Sequence, residues 1–230
     1  MYPIHLATKS PSAIINEIMR KIKLAKGEIY HVFNRGVDKR NIFMDKEDVE
    51  RFFHCMLVFN SIELTGSLYE QSFLKKKTKS KPLVRFIAYN LLPNHFHFVL
   101  EQTTEEGISK FMKRLQGGYS WYFNNKYKRS GSLVQGPFKS KYIDSNEYLL
   151  HVSVYVNLNH QIKPLGDQVA KWGKSSWDEY VNFEKLSLNF CAKKDIVLEQ
   201  FKSKEEYKKF ALSSLEDIRF NKEKYKELEE

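Results

Sequence analysis

The stretch Leu83–Leu100 constrains this chain's fold more than any other segment. Two apolar runs, Leu83–Leu91 and His95–Leu100, flank Leu92-Pro93-Asn94, a turn sequence whose proline cannot continue a strand ladder. The pattern predicts an antiparallel hairpin. Side chains alternate across a strand, so His95 and His97 share one face while Phe96, Phe98 and Leu100 take the other. Two imidazoles on one face with apolar backing can grip a divalent metal ion. The same spacing also suits a plain strand with two half-exposed histidines and no ligand.

Around this hairpin the chain alternates strands and helices. Glu28–Asn34 reads as a strand closing at Gly36, and Asp45 caps a helix to about Asn60 with Val49, Phe52, Phe53, Met56 and Leu57 on its apolar face. Lys75–Lys81 carries five lysines and reads as a solvated loop. Thr103 and Glu106 have capping-box spacing ahead of a helix through Phe111, Met112 and Leu115, which Gly117-Gly118 is expected to weaken or kink. A short strand near Tyr142-Ile143 follows, then a helix capped by Asp144 and Glu147 that ends before Pro164. The order predicts an α+β, ferredoxin-like antiparallel sheet with helices on one face. A helical C-terminal appendage follows, with Trp172 and Trp177 in a loop-like stretch and a tail from Ser203 packing through Tyr207, Phe210, Leu212 and Leu215. Residues 1–25 read as an N-terminal arm, 26–165 as the main domain and 166–230 as the extension.

Charge narrows the partners. Of 230 residues, 38 are Lys or Arg against 28 Asp or Glu, and the net +10 favours a polyanion, most often nucleic acid. Cys55 and Cys191 lie far apart in no metal-binding spacing and read as reduced thiols of a cytoplasmic protein. No apolar run approaches the roughly 20 residues that span a bilayer, so no membrane partner is expected.

The helix from Glu147 places His151, Tyr155 and Asn159 at i, i+4 and i+8, on one face. Taken alone, Tyr155 is as consistent with a packed aromatic as with a nucleophile. A phenol with a pKa of about 10 attacks poorly at neutral pH without help. Two imidazoles and a side-chain amide holding a metal ion would supply it by polarising a phosphodiester.

These elements together resemble the HUH single-tyrosine transposases, and most the REP-associated tyrosine transposases. The likeness rests on His95-Phe96-His97 with Tyr155 downstream on a helix. It extends through Tyr30–Gly36, Leu92–His97, Tyr122-Phe123-Asn124, Gly136–Lys139 and Tyr155–Asn159, over roughly residues 26–180. The resemblance implies a metal-dependent single-stranded DNA endonuclease and strand transferase. His95, His97 and Asn159 match the ligands of Mg²⁺ or Mn²⁺, and Tyr155 matches the nucleophile that forms a 5′-phosphotyrosine link. The implied partner is single-stranded DNA with hairpins, met by a monomer or a homodimer in the cytoplasm, at the nucleoid. His151 is a candidate for supporting the ligands or touching substrate, whereas His5, His31 and His54 are read as structural or surface histidines.

Lys110, Lys113, Arg114, Lys126, Lys128 and Arg129 interleave with Tyr119, Trp121, Tyr122 and Phe123, a pattern that suits phosphates and unpaired bases. Arg35 and Lys139 are further phosphate candidates. The chain departs from its relatives at Pro137, where a basic residue is common, and at His160, where proline is common. Relaxases place the tyrosine before the histidines, and replication initiators often carry lysine where this chain has Leu158. A protein that binds hairpin repeats without cutting them is the alternative from another class.

Overall fold

The hairpin forms as its apolar pattern dictates. In the computed structural model, which describes residues 24–63, 81–162, 173–182 and 190–220, β2 (Val84–Leu92) and β3 (His95–Gln102) pair antiparallel around Pro93-Asn94. β1 (Ile29–Arg35) pairs with the other side of β3, and β4 (Lys139–Tyr142) with β1. β5 (Lys174–Ser175) pairs with β2, completing a five-stranded antiparallel sheet in the order β4-β1-β3-β2-β5. The antiparallel α+β architecture is the expected one.

Aromatic packing builds the first layer. α1 (Lys46–Phe59) starts where the Asp45 carboxylate accepts from the Asp48 amide, with Glu47 and Asp48 favoured in its first turn by the helix dipole. Its Phe52, Met56 and Phe59 bury against Phe96, Phe98 and Leu100 of β3 and against Phe111, Met112 and Leu115 of α2 (Gly107–Lys126). Each fully buried phenylalanine contributes about 2–3 kcal/mol of transfer free energy.

The helix layer is not confined to one face, which corrects the expected layout. β2 is apolar along nearly its whole length, as a strand covered on both sides must be. Ile87, Ala88 and Val99 face a second core, made with α3 (Asn146–Ile162), α4 (Trp177–Val181), α5 (Asp195–Leu198) and α6 (Lys204–Phe220). A register shift between Phe86 and Ala88 makes this possible. One extra residue inverts the alternation, so Phe86 joins the aromatic core while Ala88 joins the other and Asn90 pairs with His97. The C-terminal extension is helical, and it also supplies β5 and residues to both cores: Phe190 and Cys191 to the first, Val197, Tyr207 and Leu215 to the second.

Local details differ from the sequence patterns. The capping box at Thr103–Glu106 does not form: Glu106 is left-handed at φ 57, the Thr103 hydroxyl donates to the Pro82 carbonyl, and the buried Gln102 amide oxygen accepts from Ile108 N. The α3 cap falls one residue later than expected, with Ser145 Oγ accepting from Tyr148 N. α2 runs unbroken through Gly117-Gly118 because Gly118 is where the Phe59 ring of α1 presses on it. On α6, Tyr207, Ala211, Ser214, Leu215 and Ile218 are buried while Leu212 is exposed. Most of the N-terminal arm, the lysine-rich run up to Ser80, Pro164, Trp172 and the last ten residues of the tail lie outside the described residues. No helix among the described residues is long and apolar enough to cross a membrane.

Candidate active site

Alternation on β3 places His95 and His97 on the face that α3 covers, as the spacing predicts. Their rings lie 5.1 Å apart and nearly perpendicular, at 89°. Cross-strand pairing puts Arg35 and Leu92 beside His95, and Phe33 and Asn90 beside His97. His97 is buried, stacked on Phe33 at 5.6 Å and on His31 at 5.2 Å. His31 Nε2 lies 3.0 Å from His97 Nδ1. His31 is therefore not a surface histidine: it is fully buried, and burial first, then the Lys141 charge, push its pKa down to about 3. Its place at an alternate position of a β-branched and aromatic strand is the sequence signal for burial, whereas its meeting with the histidine pair follows from β1 pairing with β3.

Tyr155 reaches the same spot from the opposite layer. Asn90 donates from Nδ2 to the Val156 carbonyl at 2.7 Å, pinning α3 to β2 one residue past the tyrosine. The Tyr155 ring then stands edge-on to His97, 5.5 Å between centroids at 89°, and to His31 at 6.1 Å. Tyr155 is only 1% exposed, so its hydroxyl is sheltered in this arrangement. Asn159, one turn on, is buried too, and its Nδ2 has no hydrogen-bond partner. His151 goes elsewhere. Its ring contact is with Phe210 of α6, at 6.4 Å.

A cavity of about 200 Å³ opens over the histidines, lined by Phe33, Asn34, Arg35, Lys39, Asn94, His95, His97, Gln135 and Lys139. Arg35 and Lys139, both singled out in the sequence, are joined there by Lys39, which was not. The cationic rim suits an anionic ligand.

The donor set suits a small divalent ion only in part. Among the described residues, no three His, Cys, Asp or Glu side chains gather so as to hold a metal ion. Two imidazoles supply nitrogen, and a third donor has to be an amide or the substrate itself. The buried Asn159 amide, one turn along α3 from Tyr155, has an Nδ2 without a hydrogen-bond partner and would offer an oxygen if turned over. A set so composed would suit a divalent ion whose remaining positions substrate and water oxygens fill.

The cations of α2 are not brought to this site. α2 packs on the aromatic face of the sheet, opposite the one that bears His95, His97 and Tyr155. Lys126 is a structural residue, its ammonium within 2.9 Å of carboxylate oxygens of Asp45, Glu47 and the buried Asp48, whose hydrogen bonds hold its pKa up against desolvation. Arg114 is held by the Ser61 carbonyl, and burial lowers its pKa. Lys110 pairs with Glu106, Arg129 lies over the Phe123 ring, and Lys113 and Lys128 are exposed. Tyr119 and Phe123 are core, whereas Trp121 is exposed.

A family model described as "Transposase IS200 like" matches residues 29–159, which span β1 to Asn159. No curated protein matches the chain. Among solved structures, a REP-associated tyrosine transposase bound to a REP hairpin aligns at 13% identity and TM-score 0.49, over 77% of this chain and 91% of that one. A bacterial tRNA(His) guanylyltransferase-like protein in complex with GTP aligns at 10% identity and TM-score 0.37, over 64% and 69%.

Proposed function

Since the chain belongs to the IS200-like transposase family, we propose that it nicks single-stranded DNA through Tyr155 and transfers the cut strand. The observation that carries this reading is the meeting of Tyr155 and His97 across two layers, 5.5 Å between ring centroids, beside a cation-rimmed cavity. In the proposed reaction the Tyr155 oxygen attacks the scissile phosphorus and the bond from phosphorus to the 3′ oxygen breaks. The phenolic proton passes to the departing 3′-hydroxyl, and the 5′ end stays on the tyrosine. Attack by another 3′-hydroxyl reverses the exchange and releases the phenol, so no external energy source is consumed.

His95, His97 and Asn159 would hold Mg²⁺ or Mn²⁺, which when bound withdraws charge from the phosphodiester and so favours attack. Imidazole donors suit Mn²⁺ better than Mg²⁺. Arg35, Lys39 and Lys139 bind the strand's phosphates around the cavity, and Phe33 walls it. Because one chain carries both the tyrosine and the histidine pair in contact, the geometry favours catalysis in cis, by a monomer or by each subunit of a homodimer. Substrate entry requires Tyr155 to emerge from its sheltered position, through a shift of α3 or of the side chains over it. Hairpin-bearing DNA is the proposed substrate form, and the division into an N-terminal arm, residues 26–165 and a helical extension is the proposed domain plan.

The burial of Tyr155 also favours a second reading, a protein that binds such DNA without cutting it. One experiment separates the two: wild type and Tyr155→Phe are incubated with labelled single strands from the gene's flanks in Mn²⁺, then run on denaturing gels. A labelled adduct in wild type that Tyr155→Phe abolishes supports cleavage. Salt-sensitive binding with no adduct in either supports the second reading.

A further inference from the structure

Asn94 occupies the turn between the two central strands, immediately before His95. Its Nδ2 donates to the Lys39 backbone carbonyl at 3.2 Å. A carbonyl can only accept, so this contact fixes which way round the amide lies. Asn94 Oδ1 then faces His95 Nδ1 at 2.5 Å. An amide oxygen donates nothing, so the proton between them belongs to His95 Nδ1, and the ring's acceptor nitrogen is Nε2.

The loop that supplies the Lys39 carbonyl is itself strained. Asp38 and Lys39 are both left-handed, at φ 54 and 59, a conformation that costs a non-glycine residue on the order of 1 kcal/mol and persists only where the surroundings impose it. They do so here: Gly36 N donates to the Asn94 carbonyl at 2.8 Å, and Ile42 N and Phe43 N donate to the Pro93 carbonyl at 2.6 and 3.0 Å. Residues 36–43 thus brace the Pro93-Asn94 turn from outside the hairpin. Gly36 is required for the approach, since a Cβ there would lie 2.1 Å from the Arg40 carbonyl oxygen.

We infer that Asn94 is a positioning residue which, braced by the Lys39 carbonyl, holds His95 in the Nδ1–H tautomer and so presents Nε2 to a divalent cation. The inference rests on the reading of His95 as a metal ligand. A hydrogen-bond partner on the far nitrogen decides which nitrogen of an imidazole can ligate, and losing such a partner lowers metal affinity about 10–100-fold. Asn94 is half-buried in a turn, and its truncation leaves both cores untouched.

The test begins without metal. Two-bond ¹H–¹⁵N spectra of the apo protein report the His95 tautomer, and an unconstrained imidazole favours Nε2–H, so a protonated Nδ1 is diagnostic. Wild type is expected to show Nδ1–H at His95. Asn94→Ala is expected to shift it toward Nε2–H and to bind Mn²⁺ about 10–100-fold more weakly. Asn94→Asp keeps an acceptor for His95 Nδ1–H, though not the donor to the Lys39 carbonyl, and is expected to restore the Nδ1–H tautomer. A wild-type Nε2–H tautomer overturns the inference, as does wild-type Mn²⁺ affinity in Asn94→Ala. His95→Ala separates the two levels. Loss of Mn²⁺ binding there, with none in Asn94→Ala, leaves the metal reading standing and removes this one; equal Mn²⁺ binding by wild type and His95→Ala removes both.

Discussion

His31 on β1 and His97 on β3 lie with Nε2 and Nδ1 3.0 Å apart and their rings stacked at 17°. The contact joins a buried imidazole to one of the two site histidines and satisfies a nitrogen that water cannot reach. In His31→Phe the ring volume stays and the partner goes. Leaving His97 Nδ1 buried without a bond costs about 1–3 kcal/mol, seen as a lower urea midpoint. Mn²⁺ affinity, by titration calorimetry, is expected to fall about 10-fold or more. An unchanged midpoint and affinity would show that the contact does neither.

The cations divide by face. Removing Arg35, Lys39 or Lys139 by substitution with alanine is expected to reduce the salt dependence of single-strand binding, the slope of log affinity against log salt falling by about 0.7 for each phosphate no longer neutralised. Lys126→Met is expected to leave that slope unchanged. It should instead lower stability by about 2 kcal/mol or more, because Asp48 stays buried without its ammonium. The reverse pattern would relocate the strand to the α2 face.

Adjacent glycines on α2 are expected to respond with opposite signs. Gly117 is exposed in mid-helix, and Gly117→Ala should raise stability by about 0.8–1 kcal/mol through helix propensity. At Gly118 a Cβ would sit 2.5 Å from Phe59 Cε2, in a fully buried ring with no room to yield. Gly118→Ala should therefore lower stability by about 1–3 kcal/mol despite the same propensity gain. Thermal unfolding of the two variants decides the matter, and a stabilising Gly118→Ala would be the contrary result.

Alkaline pH should loosen the C-terminal extension. Burial pushes the Tyr207 phenol up to about 12, with hydrogen bonds to Asn157 and Ser153 opposing the rise and the Cys191 charge adding to it. Below about pH 10 the phenol is neutral in folded and unfolded chains alike. Between 10 and 12 the unfolded chain loses the proton first, so it binds fewer protons than the folded one and stability falls as pH rises. Tyr207→Phe should flatten the slope over that window without abolishing it, since burial raises Tyr119 and Tyr180 in the same direction. Urea midpoints at pH 9 and 11.5 measure it, and identical slopes would contradict the assignment.

Several parts of the site were readable because their physics is local. Alternation put His95 and His97 on one face, and helical spacing put Tyr155 and Asn159 a turn apart. Other parts turned on which acceptor won. At the starts of α3 and α2 several nearby side chains competed for the first amides, and Ser145 rather than Asp144, and Gln102 rather than a capping box at Thr103–Glu106, supplies the oxygen. Lys126 resembles a phosphate ligand in sequence, but Asp45 at the cap of α1 and Glu47 and Asp48 in its first turn surround it with carboxylates.

Local pattern was thus enough for the antiparallel hairpin, the face of its histidines, the helix that carries Tyr155 and the family likeness. The first three follow from periodicity and short-range order, and the likeness rests on the ordered motifs around His95, His97 and Tyr155. That helices cover both faces of the sheet emerged from packing alone, since a bulge at Ile87 inverts an alternation that pattern reading carries straight through. Packing also settled that His31 meets His97, that Asn94 is braced by the Lys39 carbonyl, and that the α2 cations face away from the site. Those are contacts between residues far apart in the chain, set by how layers stack rather than by what neighbours what.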